Sequence, residues 1–318
     1  MKYPKRSQYK HTKNPYRVRN WRSYEAGLRS RGDLTVWISE DAIKCWRAPA
    51  SGKPGGQRIY ANVAIETALT LRMVFHLPLR QTEGFLGSLA DKLGVNIPIP
   101  DHTTLSRRAR TLGKLPVWVS AGNRPIHILI DSTGLTIHVG NRRKPPKRRA
   151  WRKLHVGVDA MTGDVVASDL TSSHRHDCSR VPALLKQIDR QVTSVAADGA
   201  YDTEGVYESI QARGRGRPVR VLVPPGRDAQ LSRRPSAALK ERNRNIRSIR
   251  KLGRRHWPKR SGYSRRSMVE NTIYRYKRTF GREMRSRTLA GQRVETRIAC
   301  KILNTMAQLG MPDSYRVA

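Results

Sequence analysis

Two short apolar runs constrain this chain most, because each stops at an aspartate. Ile-His-Ile-Leu-Ile at 126–130 ends in Asp131, and Val-Thr-Ser-Val-Ala-Ala at 192–197 ends in Asp198. A nearly continuous apolar run of this length reads as a strand covered on both faces. Strands whose ends open into loops are where α/β sheets present ligand groups. Around these two runs the spacing predicts more elements. Residues 135–139 read as a hairpin partner of the first run, across Thr133-Gly134. Residues 153–160 alternate and pair with 164–170 across Met161-Thr162-Gly163. Residues 203–213 read as a helix and 219–223 as a strand. The β-β-β-α-β-α order predicts a mixed α/β domain.

Upstream, the period is helical. Ala64, Ala68, Leu71 and Phe75 share one stripe, and Pro78 closes that helix. A second helix over 81–93 presents Phe85, Leu86, Leu89 and Leu93, with Gly94 at its C-cap. Asp101 caps a third, ending near Gly113. Three helices with a basic last member suggest a helix-turn-helix DNA reader. Thr103, Thr104, Arg107 and Arg108 would face the groove; a plain helical bundle is the competing reading. The domains expected are a basic arm over 1–60, partly disordered without DNA, and a helical DNA-binding domain over 61–118. A catalytic domain over 119–312 follows, with a basic insertion at about 214–260, then a tail over 313–318.

Charge narrows the partners. Lys and Arg total 63 against 24 Asp and Glu, a formal net charge of +39. Such a chain attracts polyanions, because each neutralised phosphate releases condensed counterions. No run of apolar residues is long enough to cross a bilayer, so no membrane partner is expected. Cys45, Cys178 and Cys300 are widely spaced, with no CxxC pair. They read as reduced, buried thiols rather than a zinc site or disulfide framework.

Acids are scarce, so one on an ordered face stands out. In GYSRRSMVENTIYRYK, helical spacing puts Tyr263, Arg266, Glu270 and Lys277 within one arc of about 60°. Val269, Ile273, Tyr276 and Phe280 form the neighbouring apolar stripe. That helix would pack on the sheet and line its edge with Glu270 for a metal, Arg266 and Lys277 for phosphate oxygens, and Tyr263 for a backbone contact. Asp131 and Asp198 on adjacent strands would repel unless a cation joined them. An oxygen-only donor set favours Mg²⁺ or Mn²⁺ over zinc. Alone, Asp131 and Asp198 could each be a turn or cap residue, and Glu270 half of a salt bridge with Arg266. Asp177 and Asp202 read as helix N-caps, and Asp159 as structural.

Taken together, these residues resemble the DDE transposases of bacterial insertion sequences, in the group sharing Tyr-x2-Arg-x3-Glu-x6-Lys. That signature is intact at Tyr263, Arg266, Glu270 and Lys277, and within the group the chain is most similar to the insertion sequence five family. ILIDSTGL around Asp131, KRRAWRKLHVGVD, AADGAYDT around Asp198 and the helix ending LNTMAQLGMP also resemble it. The likeness spans about residues 60–312. It implies an RNase H-like catalytic domain with a β-rich or basic insertion before the glutamate. It also implies two Mg²⁺ ions, with Mn²⁺ able to substitute, held by the catalytic residues Asp131, Asp198 and Glu270. The substrate would be double-stranded DNA, both transposon ends and target, bound by a homodimer in a bacterial cytoplasm at the nucleoid. No small-molecule substrate and no covalent protein–DNA intermediate are implied, so Tyr201 and Tyr263 need not act as nucleophiles. Arg148, Arg149 and Lys153 would clamp flanking DNA. Trp257 could stack on a flipped base, although ordinary packing is the commoner fate of a tryptophan. Competing functions are a nuclease on the same fold that cuts without joining, a catalytically inactive DNA-binding regulator, and an RNA-binding protein.

Overall fold

The computed structural model describes residues 16–50, 52, 54–112, 124–137, 151–214, 216–233 and 236–317. The helices are α1 (Trp21–Ser30), α2 (Glu40–Lys44), α3 (Asn62–Val74), α4 (Leu79–Leu93), α5 (His102–Arg108), α6 (Val181–Leu185), α7 (Glu204–Ala212), α8 (Ala237–Ser261), α9 (Ser267–Phe280) and α10 (Leu289–Leu309). The strands are β1 (Tyr16–Val18), β2 (Ile126–Ile137), β3 (Trp151–Asp159), β4 (Val165–Ser172), β5 (Val192–Ala196), β6 (Arg220–Leu222), β7 (Glu283–Met284) and β8 (Ser314–Arg316).

A six-stranded mixed sheet runs β4-β3-β2-β5-β6, with β7 also on β2. β2 is antiparallel to β3 and parallel to β5, β6 continues parallel to β5, and β3 is antiparallel to β4. This is the mixed α/β sheet that the β-β-β-α-β-α order predicted. Both faces of β2 are covered, which accounts for its apolar run. Ile126, Ile128 and Ile130 join the core under α6 and α7. Leu129 and Leu135 join Val269 and Tyr276 of α9 and Ala299, Cys300 and Leu303 of α10 in a second core.

The hairpin expected after Asp131 does not form. β2 is one twelve-residue strand, and Ser132, Thr133 and Gly134 stay paired with His155, Leu154 and Lys153. Thr133-Gly134 is no turn; Gly134 instead admits the Trp151 ring, which a Cβ would approach to 3.3 Å. Asp131 therefore sits mid-strand rather than at a strand end.

The N-terminal helices share a third core with the other side of α10. Trp46, Ile65, Leu71, Leu86 and Leu105 pack with Val294, Ile298 and Ile302. Gly94 closes α4 with φ 64°, and Asp101 caps α5 by accepting from the Thr103 and Thr104 amides, both as expected. Leu93, expected in the apolar stripe, is exposed. Parts of the arm and the tail meet each other: β1 pairs with β8, and α1 packs on α10. Gly27 makes that packing possible, since a Cβ there would meet the Leu309 carbonyl oxygen and lie 2.9 Å from its carbon.

Three further expectations change. Cys45 is exposed, Cys178 half-buried and only Cys300 buried. Asp177 does not cap its helix; its carboxylate takes the Lys153 ammonium at 3.1 Å. Asp202 precedes the true cap, Thr203, and pairs with Arg242 at 3.0 Å. Asp159 is structural, as read: it holds Arg190 at 2.8 Å. Within the segment at 214–260, read as a basic insertion, Arg220–Leu222 forms β6 of the sheet and α8 begins at Ala237. Among the described residues, no helix is long and apolar enough to cross a membrane.

Candidate active site

β5 and β7 share one edge of β2. β5 pairs with it from Ile126 to Leu129 and β7 at Thr136 and Ile137. Asp131 lies between these partners. The last pair on the β5 side is Leu129 with Ala196, so Asp131 and Asp198 each lie two residues beyond it. Adjacent strands are about 4.8 Å apart, so the register alone brings these aspartates to one end of the β2–β5 pair. Asp198 is held there by its own turn, where its side chain accepts from the Ala200 amide at 2.9 Å.

Asp131 faces α9, on the same side of β2 as Leu129 and Leu135. Its Oδ1 accepts from the Ser132 amide at 2.8 Å, and its Oδ2 takes the Arg266 guanidinium at 3.2 Å. The other Arg266 terminal nitrogen holds Glu270 Oε1. One guanidinium thus joins a sheet aspartate to a helix glutamate. Burial pushes the Asp131 carboxyl above the ordinary carboxylate value. The Ser132 amide and Arg266 oppose that rise, and the charges of Asp198 and Glu270 add to it. Burial also works against the Arg266 charge, but Tyr263, Asp131, Glu270 and Asp198 together outweigh it and raise its pKa.

The four-residue signature does not lie on one straight helix. Gly262, at φ 84°, ends α8; Tyr263–Arg266 form a 3₁₀ turn, and α9 starts at Ser267. The turn still lets Arg266 reach Glu270 four residues on. Tyr263 stacks on Trp257, ring centroids 5.2 Å apart, and the Arg266 guanidinium carbon lies 5.9 Å from the Tyr263 ring. Trp257 is 2% exposed and part of the core. It cannot stack on a flipped base as placed, and it braces Tyr263 instead. The apolar stripe of α9 is as expected, with Val269 and Tyr276 buried and Ile273 and Phe280 packed beside them. Lys277 is half-buried, and burial and then Arg282 lower its pKa.

Tyr201 is buried 2% exposed with its hydroxyl unpartnered. Burial, followed by the fields of Asp177, Asp131 and Asp198, raises its pKa strongly, so it is no ready nucleophile. The sequence did not single it out as part of the wall behind the acids; the aromatic immediately after Asp198-Gly-Ala was the available signal.

The remaining sequence candidates do not join this cluster. The Thr103 and Thr104 hydroxyls both donate to Asp101. Arg108 donates to the Tyr60 carbonyl and, at 2.7 Å, to Asn62. Of the four proposed groove contacts only Arg107 is both exposed and free of the caps, touching Thr104 at 3.4 Å. Lys153 is committed to Asp177 and the Arg175 carbonyl rather than to a DNA clamp. Arg148 and Arg149 lie outside the described residues.

The donor chemistry suits a hard divalent cation: three carboxylates, no thiolate, and a half-buried aspartate whose pKa is raised first by burial and then, to a smaller degree, by its acidic neighbours. Among the described residues, no three acidic, histidine or cysteine groups converge as a closed ligand cluster. Arg266 supplies the positive charge between Asp131 and Glu270 in this arrangement.

Two family models match the chain. A "Transposase DDE domain" model matches residues 122–305, more than half of the chain and all three acids. The chain belongs to the DDE transposase family. A second model of the same description matches residues 29–140 of the transposase. The Mos1 strand transfer complex is similar at 12% identity and TM-score 0.22, covering 83% of the transposase and 82% of that chain. The Mos1 mariner paired end complex with Mn is similar at 12% identity and TM-score 0.23, covering 87% and 85%. At that level of likeness no residue role transfers, and the roles of the acids rest on the register and contacts above.

Proposed function

We propose that this transposase binds the terminal inverted repeats of its own insertion sequence, cuts the DNA there and joins the 3′-ends to target DNA. The observation that supports this reading best is the shared register of Asp131 and Asp198, with Glu270 tied to Asp131 through Arg266. Asp131, Asp198 and Glu270 would hold two Mg²⁺ ions, or Mn²⁺ in their place. When bound, the ions supply Lewis acidity, easing loss of the proton from water or a 3′-hydroxyl and offsetting charge on the leaving oxygen.

The chain's own residues do the rest. Arg266, once the acids have another cation, turns its two donors to phosphate oxygens. Tyr263, braced by Trp257, keeps that guanidinium on the active-site side of α9. Lys277 and Arg282 add positive charge further along the wall. The apolar faces beneath β2 exclude water and keep each aspartate at its strand position. Two ends must meet before joining, so a homodimer on DNA follows from the reaction.

The test is a duplex carrying one transposon end, incubated with Mg²⁺ and a target plasmid. The reading expects end cleavage and covalent joining of the 3′-end to the plasmid. Cleavage without joining would favour the nuclease; binding with neither would favour the inactive regulator.

A further inference from the structure

Away from the acids, α1, the outer face of α9 and the end of α10 line a half-open pocket of about 240 Å³. That is several times the ~30 Å³ share of one water in the liquid. Arg31, Arg275 and Arg278 line it together with Tyr24, Tyr274 and Met311, and no acid is among its lining residues. Arg275 follows Glu270 by five residues, roughly 140° around α9 from it. The pocket and the carboxylate edge therefore use different sides of one helix.

Its arginines are poorly satisfied. Arg31 donates one bond to the Gly310 carbonyl at 3.0 Å. Among the described residues, the Arg275 hydrogen-bond acceptor is the Met311 sulfur at 2.9 Å, and a thioether is a weak acceptor. Arg31 Nε, Arg275 Nε and Arg275 Nη2 are shut off from solvent without a hydrogen-bond partner. Burial and then the like charge of Arg31 lower the Arg275 pKa, and Asp164 and Tyr24 only partly oppose this. A guanidinium does not give up its proton in a protein, so both charges persist. Half-buried guanidinium groups with donors left unpaired are unfavourable. An oxyanion in the pocket would offer both guanidinium groups a charged acceptor once their side chains turn toward it.

We infer that this pocket is an oxyanion site that takes one phosphate group between Arg31 and Arg275, supplied by a phosphodiester of bound DNA. The choice of DNA over free phosphate rests on the transposase reading and on the +39 charge of the chain. The phosphate would also tie the paired termini to α9, since Arg31 follows α1 and Gly310 and Met311 follow α10.

Two measurements on the full-length protein test the site. The first is thermal unfolding against inorganic phosphate, with chloride exchanged to hold ionic strength constant. The wild type is expected to gain several degrees, and Arg31→Gln and Arg275→Gln to gain none. The second is the affinity for an end duplex as a function of salt. Each variant is expected to bind about tenfold more weakly, with a log–log salt slope shallower by about one. A phosphate response with unchanged duplex binding would overturn DNA as the source. A wild type whose unfolding ignores phosphate would overturn the site, even if a variant fails to fold. Neither readout depends on strand joining, so loss of the site and loss of the proposed reaction are separately visible.

Discussion

Arg266 stands 3.2 Å from Asp131 Oδ2 while its other terminal nitrogen holds Glu270, so a single guanidinium spans sheet and helix at the acidic edge. It supplies the positive charge that, under the proposed function, a divalent cation would supply to the acids. Arg266→Gln should therefore have opposite effects on two measurements. Mn²⁺ binding, followed by electron paramagnetic resonance, should tighten by up to about tenfold, the equivalent of one charge-assisted hydrogen bond of ~1.5 kcal/mol. End cleavage should fall about a hundredfold, as for loss of one positioned donor. Weaker Mn²⁺ binding in the variant would show that Arg266 organises the acids rather than competing for them.

Trp257 is a brace for Tyr263. Trp257→Ala should cost about 3–5 kcal/mol of stability, the usual cost of emptying a large aromatic site in a core. Trp257→Phe keeps a ring against Tyr263 and should keep most of the cleavage activity. Loss of activity in Trp257→Phe with normal stability would restore a direct role for the indole on DNA.

Much of this was legible in the sequence, for identifiable reasons. The apolar runs ending at Asp131 and Asp198 marked strands buried on both faces, and the stripe from Val269 to Phe280 marked the face of α9. What the sequence misplaced depended on partners distant along the chain. Thr133-Gly134 has turn chemistry, yet pairing with β3 keeps it extended. Trp257 sits in a strongly basic segment, but Tyr263 and the core claim its ring. Thr103, Thr104 and Arg108 looked free to read DNA until Asp101, Tyr60 and Asn62 took their polar atoms. Arg266 was assigned to phosphate, and only the tertiary structure adds its bond to Asp131.

His155 gives the fold a pH dependence. It is fully buried on β3, its Nε2 is 2.9 Å from Thr171 Oγ1, and its Nδ1 is 3.7 Å from Asp177. Burial lowers its pKa below 6.5, with Asp177 and Asp169 opposing and Lys153 and Arg180 assisting. The folded state thus disfavours the proton that the unfolded chain accepts. Stability from this group is complete above about pH 6.5 and is lost as pH falls through its folded value. The slope cannot exceed about 1.4 kcal/mol per pH unit for one proton. Denaturant unfolding between pH 8 and 5 should show this slope in the wild type and a flatter one in His155→Gln. Identical slopes would assign the acid sensitivity elsewhere.

Gly27 sets the approach of α1 to the end of α10. Gly27→Ala should destabilise the protein by about 1–3 kcal/mol through overpacking. Hydrogen exchange should show faster opening of β1 and β8, while the amides of β2 keep their protection. Equal loss of protection in β2 would mean that the joined termini do not open as a separate unit.

Under the proposed function, Asp131, Asp198 and Glu270 would form one metal-dependent site. The most direct measurement is cleavage of an end-bearing duplex by Asp131→Asn, Asp198→Asn and Glu270→Gln, with end binding measured in parallel by gel shift. Each variant is expected to bind the duplex within a few-fold of wild type and to cleave it at least a thousandfold more slowly in both Mg²⁺ and Mn²⁺. Wild-type cleavage in any one of the three would remove that carboxylate from the site.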